Sequence, residues 1–230
     1  MKSLFAAVAM TVSVLLTGCA SAPQTPVSLK SDVLSAKTTK VGVAMTALPK
    51  VDTQFPGADC LLCLAAASLT NQSLTAHVQT LKHEDLAQLK ADLVKVMRDK
   101  GMDATVIDEP LDVSKLPSFS SKEPNFARQD FTSLKAKYGV DRLVVIQITA
   151  LGARRNYASY IPTEDPKAVF MGSGYMVNLA NNALDWYQPI DLRKSADQKW
   201  DEPPKFPGLT NAYYQVLEMG KDAVTKPFTQ

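Results

Sequence analysis

The chain has 230 residues, 46% of them hydrophobic, with 25 Lys and Arg against 23 Asp and Glu and a formal net charge of +2. A near-neutral balance without a basic run excludes the electrostatic footprint of a nucleic-acid binder, and the length allows one sizeable core. Chemistry that depends on histidine or thiol is confined to few places, because the chain holds two His and three Cys.

The first residues read as a targeting segment, outside any fold argument. Lys2 gives a positive start, and Leu4 to Leu16 is an apolar run too short for a span of about 20 residues. It ends in Leu16-Thr17-Gly18-Cys19, followed by Ala20. These residues resemble the lipobox of bacterial lipoproteins; an ordinary secretory signal with a chance cysteine is the alternative. The resemblance implies cleavage before Cys19, a diacylglycerol thioether on its sulfur and an acyl chain on the new amino terminus. Several acyl chains anchor stably where one gives only marginal binding. Ala20 after the cysteine is similar to the pattern for sorting to the outer membrane, so a lipid-anchored, periplasm-facing protein is expected. Loss of residues 1–18 removes one lysine and no acid, leaving 212 residues and a charge of +1. No later apolar stretch reaches spanning length.

Residues 19–39 carry the candidate lipidated Cys19 and a Ser-, Thr-, Pro- and Lys-rich tether. A single domain is expected over 40–230, with an insertion at about 52–82. Val41 to Leu48 reads as a buried strand stopped by Pro49. Ser73 to Leu81 alternates Leu74, Ala76 and Val78 with Thr75, His77 and Gln79, which predicts a half-buried strand. Glu84 to Lys100 predicts a helix, with Leu86, Leu89, Leu93, Val96 and Met97 on one face and Gly101 at its end. Ala104 to Asp108 is a short strand, and a Pro- and Ser-rich loop runs on to about Asn125. Arg128 to Tyr138 predicts a second helix stopped by Gly139. Arg142 to Leu151 is apolar on both faces and reads as a central strand. Ala168 to Leu179 and Ala183 to Ile190 flank Asn181-Asn182, a pair that tolerates positive φ, and so read as a hairpin. Prolines make 200–207 a loop. Thr210 is placed to cap a last helix with Tyr213, Val216 and Leu217 inward, Ala223 beside them.

Strand–helix–strand–helix–strand followed by a hairpin and a helix predicts an α/β (α+β) fold: one domain, a mixed β-sheet covered by helices. Val41 to Leu48, Leu86 to Gly101, Tyr138 to Ile146 and the hairpin ending Leu184-Asp-Trp186 carry a resemblance in architecture. It is similar to the α/β domain of TolB amino-terminal regions, the curli secretion-channel lipoprotein and lipoprotein activators of peptidoglycan synthases. That resemblance implies no catalytic residue, and no segment here shows the lipid-facing alternation of a membrane-crossing hairpin.

Cys60-x-x-Cys63 precedes His77 and His83, which raises three readings. The four residues approach zinc-site spacing, and thiolates suit Cu(I). The two thiols alone could work in redox exchange, with Asp59 able to cap a helix starting at Cys60. In an oxidising periplasm Cys60 and Cys63 could instead close a structural disulfide, or stay as free buried thiols. Met171-Gly-Ser-Gly-Tyr175 has neither dinucleotide-loop nor nucleophile-elbow spacing, so its glycines mark a bulge or a close backbone approach. Arg154, Arg155, Tyr157, Tyr160 and Trp200 form a candidate partner surface, since Arg, Tyr and Trp anchor interfaces. The expected function is non-enzymatic and without cofactor: binding or assembly with an envelope protein partner, or self-association. Metal or thiol-redox handling through Cys60 and Cys63 is the alternative.

Overall fold

The computed structural model describes residues 24–30, 33, 39–121 and 123–229; residues 1–18 and Cys19 lie outside these. The strands are β1 (Lys40–Met45), β2 (Val51–Gln54), β3 (Asp103–Val106), β4 (Arg142–Arg154), β5 (Tyr157–Ala158), β6 (Ile161–Pro162), β7 (Lys167–Asn178) and β8 (Leu184–Ser195). The helices are α1 (Leu61–Thr70), α2 (Gln72–Val78), α3 (Leu89–Asp99), α4 (Leu134–Tyr138) and α5 (Pro207–Thr225). Six strands make one mixed sheet in the order β3-β1-β4-β7-β8, with β2 paired to β4. β1 lies parallel to β3 and β4, while β4, β7 and β8 form an antiparallel meander. The expected single-domain α/β architecture with a mixed sheet is the one observed.

β4 is central for the reason its sequence suggests. Val144, Ile146 and Ile148 enter the core under α3 and α5, and Leu143 and Val145 enter a second core with Phe131, Leu134 and Tyr175. The helices bury the matching stripes: Leu89, Leu93 and Met97 from α3, and Tyr213, Val216 and Leu217 from α5. Each such side chain stabilises the fold by about 1.5–3 kcal/mol relative to exposure. The first residues of the long β4 pair with β1, and its last four pair with β2. β2 therefore extends the sheet past β1, and the insertion expected at 52–82 opens with a strand of the main sheet.

Gly172 lies against β4 where the register shifts between Ile148 and Ala150. A Cβ there would stand 2.2 Å from the Gln147 carbonyl oxygen, so this glycine marks both a bulge and a close backbone approach. The hairpin turn holds Asn182 at φ 64°, within reach of an asparagine but costly for most residues.

Several expectations need correction. Ser73 to Leu81 is not a strand: residues 72–78 form α2. Leu74 and Val78 are four apart as well as on alternate positions, so their burial satisfies a helix equally, and Ala76 is exposed. The helix expected over Arg128 to Tyr138 is confined to α4. Upstream, the Asp130 carboxylate accepts from Thr132 N–H and Asn182 Oδ1 accepts from Phe131 N–H, so side chains take the donors a helix would use. The long helix begins with a 3-10 turn at Glu84–Gln88 before α3. α5 starts at Pro207, ahead of Thr210, because proline suits the first helical turn. Part of the expected tether is also laid down: Val27 and Tyr187 exchange backbone hydrogen bonds of 2.9 Å. β8 is a sheet edge, whose unpaired groups accept a passing strand.

Candidate functional site

The segment after β2 folds back on the end of β4 and makes a small structure of its own. Phe55-Pro56-Gly57-Ala58 is a turn closed by Ala58 N–H donating to the Phe55 carbonyl at 3.2 Å. Proline at its second position and Gly57 at φ 84° are the residues a type II turn requires. Cys60 then caps α1, its Sγ accepting the Cys63 N–H at 2.9 Å. The sulfurs of Cys60 and Cys63 are joined as a disulfide, with Cα atoms 4.9 Å apart.

α1 is apolar on both sides. Cys63 and Ala67 face inward, packing with Ala58 and Tyr157 and, at its edge, Phe55. The Phe55 and Tyr157 rings meet edge to face at 5.9 Å. The outward side carries Leu61 (85% exposed), Leu62 (70%) and Leu69 (72%). These positions, with Ala65, fall on one stripe of a 3.6-residue period. Beside them the β5–β6 hairpin presents Tyr160 and Ile161, 55% and 68% exposed, and the Tyr160 hydroxyl lies 3.7 Å from Cys60 Sγ. No charged residue occurs between Asp59 and Lys82. A groove of about 600 Å³ runs along this unit, lined by Asp52, Gln54, Phe55, Leu64 and Ser68 among others.

Asn71 ties the unit to the body of the fold. It is 2% exposed and sits at the corner between α1 and α2. Its Nδ2 donates to the Ala67 carbonyl at 2.7 Å and to the Tyr157 hydroxyl at 2.6 Å, while its Oδ1 accepts from Arg155 Nη1 at 2.9 Å. The same guanidinium lies 4.7 Å from the Trp200 ring centroid, a cation–π contact.

The cysteine segment and the aromatic group thus converge. Of the candidate partner surface, Tyr160 is exposed, Arg154, Arg155 and Trp200 are half-buried, and Tyr157 is buried and belongs to the support beneath α1. Arg154 donates to Asn156 Oδ1 and to the Met171 sulfur, away from α1. The sequence reading missed Asn71, Leu61, Leu62, Leu69 and Ile161. Pro56-Gly57 and the uncharged run after Asp59 were the available signals.

The candidate metal set is not brought together. Cys60 and Cys63 spend their sulfurs on each other, and the described residues contain no group of three or more His, Cys, Asp or Glu able to hold a metal. His77, expected to face solvent from a strand, lies on α2 with Nε2 2.7 Å from Thr210 Oγ1 and its ring against Phe206. His83 precedes the 3-10 turn at Glu84. Burial holds the His77 pKa below the ordinary value of 6.5. A histidine whose folded pKa is depressed contributes stability above the unfolded pKa, and this is lost as pH falls through the folded value. Denaturant midpoints are therefore expected to fall as pH drops below 6.5, with a shallower decline in His77→Gln; identical profiles would remove His77 from the acid response.

No protein-family model and no curated protein matches the chain. Solved structures include protein XCC0632 of Xanthomonas campestris, of the family DUF330, at 10% identity over 83% of this chain and 84% of that chain, TM-score 0.39. A PelC dodecamer from Paraburkholderia phytofirmans is 10% identical over 81% and 89%, TM-score 0.31. Lipoprotein GNA1162 from Neisseria meningitidis is 12% identical over 79% and 99%, TM-score 0.29. Likeness at these scores carries no functional argument.

Proposed function

We propose that this chain is a lipid-anchored lipoprotein of the cell envelope, held to the outer membrane through Cys19, facing the periplasm and binding an envelope protein. The reading joins two independent features. Leu16-Thr17-Gly18-Cys19 has the form of a lipid-attachment signal. The observation that carries the binding role is the exposed apolar face of Leu61, Leu62, Leu69, Tyr160 and Ile161 on a supported scaffold. Exposed apolar residues scattered singly need no explanation; five gathered on one helix and its neighbouring hairpin mark an interaction surface. Covering each leucine is favourable by about 1.5–3 kcal/mol, enough in sum to offset part of the cost of association. The partner surface that fits is apolar and uncharged at its centre.

A photocrosslinking residue at position 62 in cells is expected to give an adduct of defined mass, and one at Lys115, 83% exposed and outside this face, none. A ladder at multiples of the chain's own mass would identify a second copy as the partner. Equal background at both positions would overturn the binding role. Separately, Cys19→Ala is expected to abolish acyl labelling and move the protein from the membrane to the soluble periplasmic fraction; unchanged membrane retention would remove the anchor.

A further inference from the structure

We infer that Cys60 and Cys63 form a thiol–disulfide exchange site whose substrate is a cysteine pair in a polypeptide docked on the apolar face. The inference rests on the binding face proposed above and adds chemistry to it. Its footing is an asymmetry between the two cysteines. Cys60 is exposed at the start of α1, whereas Cys63, on the buried face of that helix, is 3% exposed. Of the two residues Cys60 is the one open to solvent, so an incoming thiolate meets it first. A clip serving only to pin a turn needs no such difference, nor exposed leucines around the accessible sulfur.

The surroundings suit the thiolate that exchange leaves on Cys60. α1 has ten residues, and its first turn directs backbone N–H groups toward Cys60, with Cys63 N–H already on its Sγ at 2.9 Å. A thiolate left on Cys60 is stabilised there by the helix N-terminus. The Tyr160 hydroxyl, 3.7 Å from Cys60 Sγ, is a further donor. Leu61, Leu62 and Ile161 give the approach an apolar floor, which favours an unfolded or extended polypeptide over a small charged thiol.

The exchange balances as follows. A substrate thiolate attacks Cys60 Sγ, forming a mixed disulfide, and the Cys60–Cys63 bond breaks with its electron pair going to Cys63. Buried against Ala58 and Tyr157, Cys63 leaves as a neutral thiol, taking up the proton that the attacking substrate thiol gave up. The second substrate thiolate attacks the substrate sulfur of the mixed disulfide, and Cys60 leaves as thiolate. The substrate dithiol is oxidised to a disulfide, and the protein disulfide is reduced to two thiols once the Cys60 thiolate takes the second proton released by the substrate.

The test uses the full lipidated chain in detergent micelles, oxidised, with excess of a reduced peptide bearing two cysteines and exposed leucines. Stoichiometric transfer is expected: one peptide disulfide per chain, with two new alkylatable thiols on the protein. A Cys60–Cys63 bond that stays intact in the peptide, yet opens with dithiothreitol, would show a structural clip and overturn the inference. In the reverse direction, oxidised peptide offered to Cys63→Ser is expected to accumulate as a mixed disulfide on Cys60. Cys60→Ser should trap about tenfold less, because its thiol is buried; equal trapping would also overturn the assignment. The wild-type arm needs no substitution, so a variant that misfolds leaves it standing. Purified components alone are used, so failure here is distinct from failure to find a partner in cells.

Discussion

Gly57→Ala is expected to destabilise the protein by about 3 kcal/mol or more, and Gly101→Ala by only about 1 kcal/mol, although both glycines have nearly the same positive φ. Their φ angles are 84° and 83°. The difference lies in what a methyl group would meet. At Gly101 nothing stands within 4 Å, so the cost is the left-handed conformation alone. At Gly57 the new Cβ would lie 1.9 Å from the Tyr157 carbonyl oxygen, a backbone atom that cannot swing aside. Relief requires the turn and the β5–β6 hairpin to separate. That breaks Ser159 N–H to the Gly57 carbonyl and Tyr157 N–H to the Pro56 carbonyl, at 3.0 and 2.8 Å.

The loss should be local as well as large. α1 and the hairpin share a small core of Ala58, Cys63, Ala67 and Tyr157, separate from the two cores of the main sheet. Amide exchange in α1 and β5 is expected to accelerate in Gly57→Ala while β4 and β7 keep their protection. Adducts from position 62 should fall with it. Paired urea melts of the two variants check the first claim, and exchange mass spectrometry the second. Equal midpoints would mean that the close approach at Gly57 is relieved without loss.

The same contrast explains what could be read from the chain. The sheet and its two long helices were visible because their signals are local: β4 is apolar on both faces, and α3 and α5 carry stripes at helical spacing. Asn181-Asn182 marked its own turn. The insertion was misread because its periods are ambiguous over short distance, Leu74 and Val78 serving a helix or a strand. The site was harder still, because its contacts join distant segments. Asn71 meets Tyr157 across 86 positions, and Cys60 meets Tyr160 across 100. No spacing rule reaches that far. Cys-x-x-Cys was visible as a pair, but which sulfur faces solvent depends on the Tyr157 ring beneath α1. The aromatic cluster was equally visible, yet only the fold separates Tyr157, a support, from Tyr160, a surface residue.

Asn71→Leu is expected to cost about 2–3 kcal/mol, since one nearly isosteric change removes three hydrogen bonds and leaves the buried Tyr157 hydroxyl without a partner. The Tyr157 hydroxyl and the Ala67 carbonyl lose the Nδ2 donor, and Arg155 loses the Oδ1 acceptor. Arg155 is half-buried and keeps Trp200 and the Glu164 carbonyl, so water can repair most of its loss. Tyr157, only 7% exposed, has no such recourse. Tyr157→Phe tests that distinction. In the wild-type background it should cost about 1 kcal/mol, the worth of one hydrogen bond; in Asn71→Leu it should cost nothing, because the hydroxyl is already orphaned. A coupling of about 1 kcal/mol in that double-mutant cycle would make Asn71 the joint between the disulfide helix and the hairpin that completes its apolar face. Strict additivity would instead restrict Asn71 to closing the corner between α1 and α2, with the hairpin held in place by the Gly57 turn alone.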